Sequence, residues 1–193
     1  LLIFTSDNGP EGNAYPISRK YGHFCMGHWR GTKSDLWEGG HREPFVARWP
    51  NTIPSGTVCD QLVCLGDLMA TCADITKTHL PDHAGEDSIS MLPLLAGNTG
   101  MPTRENLILH SGWCGNFALR SGDWVFIDAP SGGDCFNTSD PGNRKEPEWF
   151  RELRGYSLHE CPGELFDLSS DEGEKSNLHD QRPDIVREMQ ECL

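Results

Sequence analysis

Long hydrophobic runs are missing from this 193-residue chain, and so is any excess of positive charge. Its apolar stretches are a few residues long, far short of the ~20 that a membrane-spanning helix needs. No signal peptide is visible either. A chain that opens Leu1-Leu2-Ile3-Phe4, without Met, is however expected to be part of a longer protein whose front could carry one. Sixteen basic residues stand against 29 acidic ones, for a formal charge of −13. That balance excludes nucleic acid and anionic membrane as main partners, since both reward a basic face. It reads first as solubility, and it means that an anionic substrate must be attracted locally. Cys-x-x-Cys pairs are absent, which excludes a zinc ribbon and a thioredoxin-like site. No internal repeat is present.

Eight cysteines are there nonetheless: Cys25, Cys59, Cys64, Cys72, Cys114, Cys135, Cys161 and Cys192. That number fits some disulfides in an oxidising compartment. Cys72 falls on an apolar helical face and reads as a packed thiol. Asn137-Thr138-Ser139 is a glycosylation acceptor pattern in a polar loop, a pattern that also arises often by chance.

The apolar run Leu1 to Thr5 reads as a fully buried parallel strand. Asn8 to Cys25, rich in Gly, Pro, Asn and Ser, reads as loop. Phe45 to Trp49 is a second strand, stopped by Pro50. Leu65, Leu68, Met69, Cys72 and Ile75 mark a core-facing helix with Asp67 and Asp74 solvated. A short apolar stretch from Ser88 to Leu95 ends at Gly97, a helix cap. Leu107 to His110 is a strand, and Phe117–Arg120 and Trp124–Ile127 flank a hairpin turn at Ser121-Gly122-Asp123. Residues 128–155 read as an irregular excursion. Glu164 to Leu168 is a strand, and Pro183 to Cys192 a final helix with Ile185, Val186 and Met189 on one side.

The chemistry concentrates between Thr5 and Pro50. A strand delivers Asp7 and Asn8 to its carboxyl end, where open α/β sheets place ligands. A carboxylate beside an amide carbonyl is a hard-oxygen pair, suited to Ca²⁺ or Mg²⁺ rather than zinc or copper. Asp-Asn-Gly after a strand is equally good Asx-turn chemistry. Lys33 follows in the same segment, a compact cation able to meet a sulfate or phosphate oxygen. His23, in Gly22-His23-x-x-x-Gly27, is a substrate-side candidate or a solvated loop histidine; His28 and His41 rank lower. Trp37 reads as core. Glu38, Gly39, Gly40 and Arg42 read as positioning residues, the glycines allowing close backbone approach.

Ser6-Asp7-Asn8-Gly9, Arg30-Gly31-x-Lys33 and Trp37-Glu38-Gly39-Gly40-x-Arg42-x-Pro44, in that order, resemble the second half of the sulfatase catalytic domain. The likeness continues through Ala118-Leu119-Arg120-x-Gly122-Asp123-Trp124 and Glu164-Leu165-Phe166-Asp167-Leu168. The resemblance implies an α/β fold. Residues 1–100 would form part of an alkaline-phosphatase-like sheet sandwiched by helices. Residues 101–193 would follow as a small α+β C-terminal subdomain with an antiparallel sheet.

It also implies metal ligation by Asp7 and Asn8, with Ca²⁺ favoured over Mg²⁺, and sulfate binding by Lys33 with His23 nearby. The family's nucleophile is a formylglycine made in a Cys/Ser-x-Pro-x-Arg motif, and that motif is absent from this sequence. The remaining metal ligands are also absent. The parent protein is therefore expected to be a sulfatase acting on aryl or carbohydrate sulfates in a secreted, periplasmic or lysosomal setting. This piece alone is expected to be inactive without the N-terminal half of its own domain. A phosphoric or phosphonic ester hydrolase of the same superfamily and a non-catalytic homologue or binding module are the alternatives.

Overall fold

The computed structural model describes residues 1–100, 103–112, 114–133 and 146–193. The Asn137 acceptor pattern and Cys135 lie outside them. The chain forms two compact units: Leu1–Asp7 with Pro44–Leu107, and Asn8–Glu43 with Ile108–Leu193.

In the first unit, β1 (Leu2–Thr5) pairs antiparallel with β2 (Phe45–Arg48), with Phe4 opposite Val46. This corrects the expectation of a buried parallel strand. Among the described residues β1 has a single partner, which returns in the opposite direction. Phe4 and Val46 share a face and are 67% and 62% exposed. An unbroken apolar run marks a strand covered on both faces, and here one face is open.

Helix α2 (Asp67–Thr76) also turns differently from its apolar pattern. Asp67, Thr71 and Ala73 are buried, whereas Met69 and Cys72 are exposed. The cause is a polar anchor. Asp67 accepts from the backbone N–H groups of Cys64 at 3.0 Å and Ile89 at 2.9 Å, and pairs with Arg104. Burial raises the Asp67 carboxyl pKa, but Arg104 and the two N–H groups outweigh it and hold the group charged. Asp67 is therefore an internal ion-pair member rather than a solvated charge, and Cys72 an exposed thiol. α3 (Leu92–Leu95) ends as expected at Gly97, whose φ is +87°.

The second unit holds β4 (Phe117–Ser121), β5 (Trp124–Ile127) and β6 (Glu164–Asp167), antiparallel neighbours in a sheet of order β3-β4-β5-β6 whose first strand, β3 (Asn106–His110), starts at the end of the first unit. β4 and β5 form the expected hairpin, closed by Gly122 and Asp123. Side chains alternate across the sheet. Val125, Ile127 and Phe166 pack one face with Leu36 and Trp37. Leu119, Phe126 and Leu165 pack the other with Val186 and Met189 of α5 (Pro183–Cys192), the helix read from the sequence.

Two helices were not legible. α1 (Ala14–Tyr21) lies inside the segment read as loop, and α4 (Glu148–Arg154) inside the excursion. α1 is tolerant of Pro16 because a first-turn residue has no intrahelical N–H bond to lose. It buries Ala14, Tyr15 and Ser18, and ends at left-handed Gly22, whose N–H donates to the Ser18 carbonyl at 2.8 Å. Phe150 of α4 meets Tyr15 edge-on at 5.0 Å.

Candidate active site

Trp37 is the hub of the second unit and is fully buried, as its sequence position suggested. Its indole Nε1–H donates to Glu164 Oε2 at 2.9 Å. The guanidinium of Arg30 lies 3.7 Å from its ring centroid and 4.5 Å from that of Tyr156 on the other side. Arg30 donates to both Glu146 oxygens, Nε–Oε1 at 3.1 Å and Nη2–Oε2 at 3.3 Å, and to the Glu174 carbonyl at 3.1 Å. Burial works against the Arg30 charge, but Glu146 and Glu164 outweigh it and hold the group protonated. Glu164 is satisfied in turn by the Gly132 N–H and by His159 Nε2 at 2.9 Å. A buried ion cluster thus clamps the two ends of the Arg30–Trp37 loop.

Lys33 sits at the tip of that loop. Asp35 Oδ2 accepts from the backbone N–H of Thr32 at 2.7 Å and from its hydroxyl at 3.2 Å, and the Asp35 N–H returns to the Thr32 carbonyl at 2.9 Å. Ser34 takes φ +75° to close the turn. The tip is then tied to the segment that follows Asn8. The Lys33 N–H donates to the Pro10 carbonyl at 2.8 Å, and the Gly9 N–H to the Gly40 carbonyl at 2.9 Å. The glycines are needed for these approaches. A Cβ on Gly9 would lie 2.0 Å from the Gly39 carbonyl oxygen, and one on Gly40 2.1 Å from that of Asp35.

The structure therefore brings the Asn8–Pro10 turn and the Lys33 turn together within one unit. Asn8 is half-buried, and the Lys33 ammonium lies 3.1 Å from Glu11 with both side chains partly exposed. His23 is exposed, just past the Gly22 cap of α1. Asp7 is exposed and closes the opening segment of the other unit. Among the described residues no group of three or more His, Cys, Asp and Glu is arranged to hold a metal ion.

Glu38 anchors the loop after Lys33, as its position suggested. It pairs with Arg42 and, at 3.0 Å, with Arg120. Its backbone N–H donates to Glu174 Oε2 at 2.9 Å. Burial places His41 below the ordinary histidine pKa, and its Nε2 lies 3.2 Å from the Leu36 carbonyl. His41 is thus tied back to the loop that bears it.

Sequence reasoning missed Glu146, Glu164 and Glu174. Glu146 and Glu174 stand among other charged residues and Glu164 at the start of a strand, and only the fold reveals that all three are buried. Glu174 is fully buried, its Oε1 has no hydrogen-bond partner, and burial together with the Glu38 charge pushes its pKa well above the ordinary glutamate value. The folded state holds this proton to higher pH than the unfolded chain does. Its stabilisation is thus complete below the unfolded value, about 4.3, and is lost as pH rises through the folded pKa. Glu174→Gln, which cannot ionise, is expected to gain stability over the wild type as pH rises from 4 to 8. Thermal unfolding of the full-length protein across that range checks it; a pH-independent difference would contradict the assignment.

Comparison with known proteins agrees with this architecture. The family model described as Sulfatase matches residues 1–78. Over its whole length the chain is 33% identical to an N-acetylgalactosamine-6-O-sulfatase of Bacteroides thetaiotaomicron, covering 35% of that protein. It is likewise 35% identical to arylsulfatase A of Bos taurus, covering 36% of it. A solved structure from work on glycosaminoglycan metabolism in Bacteroides thetaiotaomicron superposes on 99% of the chain with TM-score 0.77 and 31% identity, over 37% of its own length. A Pseudoalteromonas sulfatase superposes on 98% with TM-score 0.70 and 25% identity, over 35% of its length. The fold is the one these sulfatases share, and the chain belongs to the sulfatase family. It spans about a third of the length of the relatives it matches.

Proposed function

We propose that the full-length protein hydrolyses sulfuric esters, of aryl or carbohydrate alcohols, and that this chain supplies its sulfate-binding lysine and part of its metal shell. The observation that carries the reading is the hydrogen-bonded union of the Asn8–Pro10 turn with the Lys33 turn. It brings the backbone that carries Lys33 against the backbone that follows Asn8. Asp7 and Asn8 match Ca²⁺ in the kind of donor, with Mg²⁺ second. They fall short of the six to eight oxygens that Ca²⁺ takes, so the other ligands come from the N-terminal half of the domain. When bound, the ion polarises the sulfate oxygens as a Lewis acid.

Lys33 meets a sulfate oxygen and offsets charge growing on the leaving oxygen. Its ion pair with Glu11 is partly exposed, of a type worth at most about 1 kcal/mol, so an incoming dianion displaces it. His23, exposed just after α1, serves in this reading as a hydrogen-bond partner for the substrate. The attacking group, a formylglycine, is assigned upstream of this chain, and the piece alone is inactive. A secreted, periplasmic or lysosomal setting is supported by the disulfide at Cys114. No helix among the described residues is long and apolar enough to cross a membrane.

The test is turnover of a sulfate and a phosphate monoester of the same alcohol by the full-length protein. Higher kcat/KM on the sulfate is expected. Dominant phosphatase activity would favour the phosphoric ester reading, and turnover of neither would favour a non-catalytic homologue.

A further inference from the structure

Between Glu11 and Asp35 the sequence carries no acidic residue, although 29 of the 193 residues are acidic. The same stretch carries Arg19, Lys20, Arg30 and Lys33, with His23 and His28. Arg30 is buried and spent on the ion cluster. Arg19 and Lys20 are exposed on the last turn of α1 and lie against aromatic rings. The Arg19 guanidinium is 5.6 Å from the ring centroid of Trp149 in α4, and the Lys20 ammonium 4.8 Å from that of Tyr21. Arg154 continues the series, 5.2 Å from Phe24, and reaches the carbonyls of Gly27 and His28 with its guanidinium. Every one of these residues belongs to the unit that holds Lys33.

We infer that this cationic and aromatic face of α1 and α4 is a binding surface for the anionic carbohydrate chain of a polymeric sulfated glycan, apart from the ester being cleaved. The inference rests on the sulfate-ester reading above. A net charge of −13 repels a polyanion at long range, so engagement needs a local patch where acids are withheld, and the acid-free stretch provides one. A cation laid against a ring keeps its outward N–H groups for sulfate oxygens, and its conformation is already fixed. Tyr21, 66% exposed, offers an apolar face to a sugar ring. The acids nearest in the fold do not cancel the patch. Glu172 pairs with His28 at 3.0 Å and Glu11 with Lys33; α4 carries two acids, Glu148 and Glu152, and two bases, Arg151 and Arg154, so the surplus charge of the two helices is that of Arg19 and Lys20 on α1.

The experiment uses the full-length protein with size-defined chondroitin 6-sulfate oligosaccharides as probe, read by calorimetry, beside the Arg19→Ala/Lys20→Ala variant. Both residues are exposed, so the variant is expected to fold; matching circular dichroism spectra check this, and Arg19→Gln/Lys20→Gln serves as the second variant. The expected result is at least about tenfold weaker binding in the variant, with turnover of 4-nitrophenyl sulfate unchanged. Unchanged oligosaccharide affinity would overturn the inference. Equal binding of the desulfated chain, or tighter binding of oligothymidylate, would overturn it too, the latter by making the face a nucleic-acid surface. Absence of 4-nitrophenyl sulfate turnover would count against the sulfatase reading alone, since the binding arm needs no catalysis.

Discussion

Lys33→Ala in the full-length protein is expected to lower kcat/KM for a sulfate ester on the order of a thousandfold. Removing one preorganised donor from a developing oxyanion costs about a hundred- to a thousandfold, and a full charge lies at the upper end. The loss is expected mainly in kcat if the ammonium acts on the leaving oxygen, and mainly in KM if it only holds the sulfate. Folding is expected to be undisturbed. The turn that carries Lys33 is held by the backbone of Thr32 and Pro10 and by the Asp35 carboxylate, none of which involves the lysine side chain. Steady-state kinetics with matched unfolding curves checks this. A change under about tenfold, ~1.4 kcal/mol, would remove Lys33 from the assigned role.

Arg30→Ala is expected to have the largest effect on stability. It removes the guanidinium hydrogen bonds to both Glu146 oxygens, takes a cation away from the Trp37 and Tyr156 rings, and frees the Glu174 carbonyl. Breaking a buried pair by deleting one member costs about 3–5 kcal/mol, because the other charge stays buried. In a domain of this size that corresponds to a melting temperature lower by roughly 10 °C. Arg30→Lys keeps the charge but loses the planar fork and both stacks, so it is expected to fall between. Thermal unfolding by circular dichroism reads both. A loss below about 1 kcal/mol for Arg30→Ala would show that the cluster contributes nothing beyond packing.

These two residues stand three apart in one motif, and the sequence treats them alike. Only the fold separates the cation that faces outward from the one that anchors it. The hairpin, the final helix and the core position of Trp37 were legible because each is written locally, in a turn dipeptide, an apolar spacing or an aromatic amid apolar neighbours. What escaped was written at a distance. Asp67 is buried because Arg104 and the Ile89 N–H meet it, and no pattern within α2 announces that. α1 was hidden by Pro16 and by having only Ala14, Tyr15 and Ser18 to bury. Leu1 to Thr5 carries the letters of a doubly covered strand yet pairs antiparallel with one face open. The Lys33 loop packs on a sheet contributed by residues more than seventy positions later, through Trp37, Val125 and Phe166. Sequence adjacency therefore pointed to Lys33, whereas the groups that hold it in place had to be seen.

The most direct test of the metal-and-lysine account is calorimetric titration of the full-length protein with Ca²⁺, wild type beside Asp7→Ala. The account predicts a binding isotherm in the wild type that disappears in the variant, with the melting curve of the calcium-free protein unchanged. Equal calcium affinity in the two proteins would contradict it and take Asp7 out of the metal shell.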